Sequence, residues 1–161
     1  MIGLLQRVST AGVEVGGETI ARIEAGLLVL VCVERGDSPA EAERLAERLL
    51  GYRLFSDGAG RLNYSVMDAG GDLLLVPQFT LAANTRKGTR PSLGRAAPPE
   101  RGAELFEQLA REARGRYPRV QTGRFGAHMR VSLVNDGPVT FWLEARPAAG
   151  HRPLVPLASR W

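Results

Sequence analysis

The chain has 161 residues, 44% of them hydrophobic and 24% charged, with a formal net charge of +4. That length suits one domain with a full core, and the balance excludes an intrinsically disordered chain. The longest apolar stretch, Leu27 to Val33, is far shorter than the roughly 18 residues of a membrane span. The opening MIGLLQRVSTAGVEV carries no basic leader or cleavage site, so neither a membrane nor a secretory setting is expected.

In chain order, residues 3–8 and 12–15 read as two short strands. Gly16-Gly17 then makes a hairpin, because glycine takes positive φ without strain. Gly26 opens LLVLVCV, a strand covered on both faces. Ser38, Pro39 and Glu41 spell a capping box, and Ala42, Leu45, Ala46, Leu49 and Leu50 recur at helical spacing behind it. Asp57 to Gly60 is a turn, and Asp72 to Val76 is a second buried strand stopped by Pro77. Residues 82–99 form an exposed loop. A second helix runs from about Pro99 to Tyr117, with Leu105, Phe106, Leu109, Ala110 and Ala113 on its buried face. Strands at Met129–Asn135 and Val139–Glu144 flank the tight segment Asp136-Gly137-Pro138. The expected fold is α+β: one domain over residues 1–145, with a mixed, barrel-like sheet and two main helices. Residues 146–161, with three prolines and no period, form an irregular arm.

Chemistry-bearing residues are few. One cysteine, Cys32, sits inside an apolar strand and reads as core. The two histidines, His128 and His151, form no close pair. No metal and no cofactor are expected. His128 reads as structural or exposed.

Pro77-Gln78-Phe79-Thr80-Leu81 ends a buried strand, where backbone N–H groups come free. Gln78 can orient a carbonyl, and the N–H groups of Phe79 and Thr80 can form an oxyanion hole. The alternative is a polar turn that caps the strand with Phe79 in the core. Asn135 to Thr140 is either a plain Asp-Gly hairpin or a functional turn, since Pro138 removes a donor at a strand start. Arg86, Lys87 and Arg90 form a basic loop, either a phosphate-contacting surface or a solvated one; it lacks P-loop spacing.

Together, QRV at residues 6–8, PQFTL, TRKGTRPSL and QTGRFGAHMRVSLVNDGPVTFWLE resemble the bacterial-type D-aminoacyl-tRNA deacylases, over residues 1 to about 144. The resemblance implies a cytoplasmic homodimer that hydrolyses the ester between a D-amino acid, or misattached glycine, and the 3′ end of tRNA. Gly137 and Pro138 match the family's Gly-Pro pair, joined by a cis peptide, which enters the neighbouring subunit's pocket and holds the substrate's amino group. Arg7 matches the arginine that braces that turn, and Met129 a residue packed close to it. Gln78, Phe79 and Thr80 match the pocket wall that receives the ester carbonyl. Pro77 stands where bacterial members usually carry serine. Arg86, Lys87 and Arg90 are the expected tRNA contacts.

Two other readings are distinct. Thr80 could act as a nucleophile through an acyl-enzyme, although no base is visible near it. A non-catalytic RNA-binding module could use the basic loop, although stacking aromatics are scarce.

Overall fold

In the computed structural model, which describes residues 1–86 and 88–146, the two short strands expected at the start are one: β1, Ile2–Val15. Polar Ser9 and Thr10 do not break it, because β8 (Arg130–Glu144) pairs antiparallel along nearly its whole length. Register shifts between Gln6 and Val8 and between Val8 and Thr10 bend it there. On its other edge the first half, Ile2–Val8, pairs with β3 (Gly26–Cys32), and the second half, Ala11–Val15, with β2 (Glu18–Ile23). The β1–β2 turn is the expected Gly16-Gly17 hairpin, with φ of 60° and 86°.

From β3 the chain crosses over through α1 (Pro39–Gly51) and a small hairpin, β4 (Phe55–Ser56) and β5 (Leu62–Tyr64), to β6 (Asp72–Pro77). β6 lies parallel to β3. A second crossover, through α2 (Pro99–Arg116), brings β7 (Val120–Thr122) parallel to β6. The main sheet therefore runs β2-β1-β3-β6-β7, with β8 on the outer edge of β1. Its end strands are bridged by one side chain. Gln121 Nε2 donates to the Arg22 carbonyl at 2.6 Å, and Gln121 Oε1 accepts from the Arg22 N–H at 2.9 Å. The sheet is thus mixed and nearly closed.

Alternation divides the core in two. Leu27, Val29, Leu73 and Leu75 face the helices, where they meet Leu45, Leu49, Leu105, Phe106 and Leu109. Leu28, Leu74 and Val76 point the other way, against Val13, Ala21 and Ile23 inside the curl of the sheet. β3 and β6 are covered on both faces, as continuous apolar runs require. Among the described residues no helix is long and apolar enough to cross a membrane.

α1 begins as the sequence specifies. The Ser38 side chain accepts from Ala40 N–H, and Glu41 Oε2 accepts from Ser38 N–H at 2.7 Å. Burial alone would raise the Glu41 carboxyl, but hydrogen bonds from the Ser38 hydroxyl and backbone outweigh it and hold it below its ordinary value. A lowered value adds stability above ordinary carboxylate titration and loses it as pH falls through the lowered value. Ser38→Ala is expected to cost about 1 kcal/mol in urea unfolding at neutral pH, with the difference from wild type shrinking toward acid.

Candidate active site

β6 ends beside β3, and the backbone then turns sharply. Gln78 N–H donates to the Val31 carbonyl at 2.7 Å, and Phe79–Ala82 form one turn of 3-10 helix. This turn rotates Phe79 out of the core, where one reading had placed it: its side chain is 54% exposed. Buried Ala82 takes the inner position, in a small cluster with Ile2, Cys32 and Ala96. Among the described residues, neither the Phe79 nor the Thr80 N–H finds an acceptor, as expected at a helix start. The Thr80 hydroxyl is hydrogen-bonded to the Gln78 side-chain amide. Cys32 donates its thiol to the Phe79 carbonyl at 3.4 Å, and burial pushes its pKa up to about 11. It is a core residue and no nucleophile.

A second wall comes from residues 123–129, between β7 and β8. Gly123 N–H donates to the Leu75 carbonyl at 2.8 Å, which ties this segment to β6. Gly126, with φ of 75°, turns it back, and the Arg124 N–H points at Met129 Sδ at 3.4 Å. A Cβ at Gly123 would lie 2.9 Å from Met129 Sδ, so the methionine side chain packs directly over this glycine. Phe125 packs on Phe106 with ring centroids 6.3 Å apart, in the space left by Gly102 of α2.

Between these walls lies a cavity of about 430 Å³, lined by Pro77, Gln78, Phe79, Phe125, His128 and Met129 among others. Its size is that of a small-molecule site. His128 is exposed, as one reading had it, but it also lines this cavity.

The segment around Gly137 and Pro138 corrects one expectation. It is no hairpin: the chain passes straight through it, and both halves of β8 pair with β1 in one direction. The local Asp-Gly signal loses to the partner strand β1. What remains is an exposed kink with a cis Gly137-Pro138 peptide. Gly137 has φ of 151°, and a Cβ there would meet Val139 Cγ2 at 2.6 Å and Val139 N at 2.8 Å. The Asn135 side chain spans the kink. Its Oδ1 accepts from Val139 N–H at 2.7 Å, and its Nδ2 donates to Thr140 Oγ1 at 3.0 Å. Arg7 Nε donates to the Asp136 carbonyl at 2.9 Å, while its Nη1 donates to the Leu54 carbonyl at 2.9 Å.

The structure therefore gathers Pro77, Gln78, Phe79 and Met129 at one cavity, with Thr80 next to it. It gathers Arg7, Gly137 and Pro138 at a second place that does not line this cavity. Arg86 and Arg90 are exposed on the long loop, and Lys87 and residues 147–161 lie outside the described residues. Sequence reasoning missed the clamp role of Asn135, which its position two residues before a glycine could have signalled.

A sequence profile described as D-Tyr-tRNA(Tyr) deacylase matches residues 4–144. A D-aminoacyl-tRNA deacylase of Nitrosococcus oceani is 62% identical over 148 residues, covering 92% of this chain and 96% of that protein. One of Burkholderia cenocepacia is 59% identical over 152 residues, covering 91% and 100%. A solved structure described as c-Myc DNA Unwinding Element Binding Protein superposes with a TM-score of 0.86 at 38% identity, covering 92% of this chain and 100% of that one. A probable eukaryotic D-amino acid tRNA deacylase shares the fold, with a TM-score of 0.78 at 17% identity, covering 89% and 98%. With its match along 141 of 161 positions spanned by residues 4–144, the chain belongs to the D-Tyr-tRNA(Tyr) deacylase family of hydrolases.

Proposed function

We propose that this chain hydrolyses the ester joining a D-amino acid, or misattached glycine, to the 3′ end of tRNA, as a cytoplasmic homodimer that proofreads chirality in translation. The observation that carries the chemistry is the pair of unengaged N–H groups at Phe79 and Thr80, beside a cavity of about 430 Å³. An aminoacyl ester is already activated. Oriented donors that take the charge growing on the carbonyl oxygen, with a placed water, suffice to cleave it. Water attacks the carbonyl carbon, the bond to the ribose 3′-oxygen breaks, and that oxygen leaves with a proton. The substrate's own 2′-hydroxyl orients the attacking water.

Chiral choice needs a rigid wall, and the Gly137–Pro138 kink is rigid. Arg7 and Asn135 hold its backbone from both sides, yet it stands exposed and away from its own cavity. A second copy would bring it to the neighbouring cavity. The edge of β8 supports that arrangement: among the described residues it pairs only with β1, and Val131, Val134, Phe141 and Trp142 are exposed along it. Long apolar edges of this kind call for a covering partner. There the carbonyls of Gly137 of the partner subunit and Pro138 of the partner subunit would hold the substrate amine. They leave room for the hydrogen of a D residue where an L side chain would clash. Arg86, Lys87 and Arg90 would meet the tRNA backbone.

Purified protein incubated with D-tyrosyl-tRNA and L-tyrosyl-tRNA tests this. Hydrolysis of the D ester is expected, with the L ester slower by on the order of 10²-fold. Equal rates, or no rate above buffer, would overturn the reading.

A further inference from the structure

One residue of the cavity is left without a task by this chemistry. Among the residues that line it, His128 is the sole ionisable side chain; the others are apolar, glycine or Gln78. It is exposed, and its place is fixed by the loop that carries it. The turn at Gly126, the Ala127 N–H donating to the Arg124 carbonyl at 3.3 Å, and the Arg124 N–H on Met129 Sδ set the shape of residues 124–129, and the Gly123–Leu75 bond ties that loop to β6. His128 takes part in no hydrogen bond or ion pair among the described residues, so its ring nitrogens are open to a ligand. Arg124, at the start of the same loop, is also exposed and engaged in no ion pair among the described residues. Arg130, at its end, lies 4.0 Å from Glu14 and is partly neutralised.

The proposed substrate, on whose reading this inference rests, bears one kind of anion near its ester: the phosphate on the 5′ side of the terminal nucleoside. With the ester carbonyl at the Phe79–Thr80 wall and the partner's turn close to Met129, the nucleoside would take the apolar space toward Phe125. Its 5′ side then leaves past the opposite wall, where His128 stands. We propose that His128 is a specificity-determining residue that donates a ring N–H to this phosphate, with Arg124 of the same loop adding positive charge to this side of the molecule. The other lining side chains offer the phosphate no competing donor except the Gln78 amide, which is already engaged with Thr80, and the backbone donors at Phe79 and Thr80 are taken by the ester carbonyl in this reading. His128 therefore selects an ester that continues into a nucleic-acid chain over a free aminoacyl nucleoside.

Two small substrates separate this role from a structural one: 3′-O-(D-tyrosyl)adenosine and its 5′-monophosphate. Wild type is expected to show the lower KM for the phosphate. His128→Gln should raise the KM of the phosphate ester about tenfold, as for loss of a charge-assisted hydrogen bond, and His128→Asp should raise it further. His128→Arg should restore it. The KM of the nucleoside ester should stay nearly level across the series, and the phosphate effect should sit in KM rather than kcat. An equal rise with both esters, or no rise with either, would overturn the role of His128 while leaving ester hydrolysis standing. A wild-type protein that cleaves neither ester and spares D-tyrosyl-tRNA as well would overturn the function itself, and this role with it.

Discussion

D-aminoacyl-tRNA whose terminal ribose lacks the 2′-hydroxyl is expected to be cleaved about 10²-fold more slowly, or worse, as for loss of a positioned catalytic group. Thr80→Ala is expected to stay within about tenfold of wild type. The contrast follows from what surrounds Thr80. Its hydroxyl is hydrogen-bonded to the Gln78 amide, and no histidine or carboxylate is bonded to it among the described residues. A neutral amide cannot take its proton, so the hydroxyl has no route to becoming an alkoxide. The backbone N–H proposed to meet the ester carbonyl is kept by alanine. The substrate hydroxyl, by contrast, stands next to the ester at high effective concentration. Single-turnover rates on both substrates with both proteins give the comparison free of product release. A dead Thr80→Ala enzyme with its fold intact, together with full activity on the 2′-deoxy ester, would establish a threonine nucleophile instead.

Gly26→Ala is expected to have the largest effect on stability, about 3 kcal/mol or more, out of a total of roughly 5–15 kcal/mol for a domain of this kind. Gly26 opens β3 opposite Asp72, the first residue of β6. A Cβ there would stand 2.0 Å from the Asp72 carbonyl oxygen, 2.7 Å from its nitrogen and 2.8 Å from its carbonyl carbon. All three are backbone atoms of a strand packed on both faces, so no side chain can swing aside and β6 itself must move. Because β6 carries Pro77 and the turn behind it, activity should fall with stability. Gly51→Ala is the matching control. A Cβ there meets nothing within 4 Å, and the end of α1 should gain up to about 1 kcal/mol. Urea midpoints at constant m-value would decide it; an unchanged midpoint for Gly26→Ala would refute the close approach.

What was legible in the sequence was what is decided locally or by repetition. The capping box of α1 lies within four residues, and the buried faces of both helices recur every three or four. The runs of β3 and β6 announce burial on both sides. The Gly16-Gly17 turn needs only its own backbone. What was misread is decided far away in the chain. Asp136-Gly137 reads as a hairpin until β1, some 130 residues earlier, is laid beside it and keeps both halves in one line. Ser9 and Thr10 read as a break until the same pairing carries the strand past them. β7 and the β4–β5 pair are too short to show a period. His128 joins the cavity because the Gly123–Leu75 bond brings its loop to the end of β6, and neither segment states that on its own. From the residues themselves the cavity wall was legible only on the strand side, as QFT, and the resemblance added Met129 from the facing segment. Phe125 and His128 joined it only through the three-dimensional return of residues 123–129.

The junction between β2 and β7 has a consequence for how the molecule breathes. Elsewhere the curved sheet is held by ladders, which part only when several bonds break together. At this seam the hydrogen bonds that cross are those of one side chain, from Gln121 to the backbone of Arg22. A rotamer change at a single residue therefore unlatches the cylinder without unzipping a strand. Two positions further along, the segment 123–129 begins. That segment is itself tied to β6 by the Gly123–Leu75 hydrogen bond, so the wall that bears Phe125, His128 and Met129 stays with Gln78 and Phe79 when the seam opens. Opening at Gln121 therefore loosens the β1–β2 hairpin from β7 while both walls of the cavity keep their place on β6.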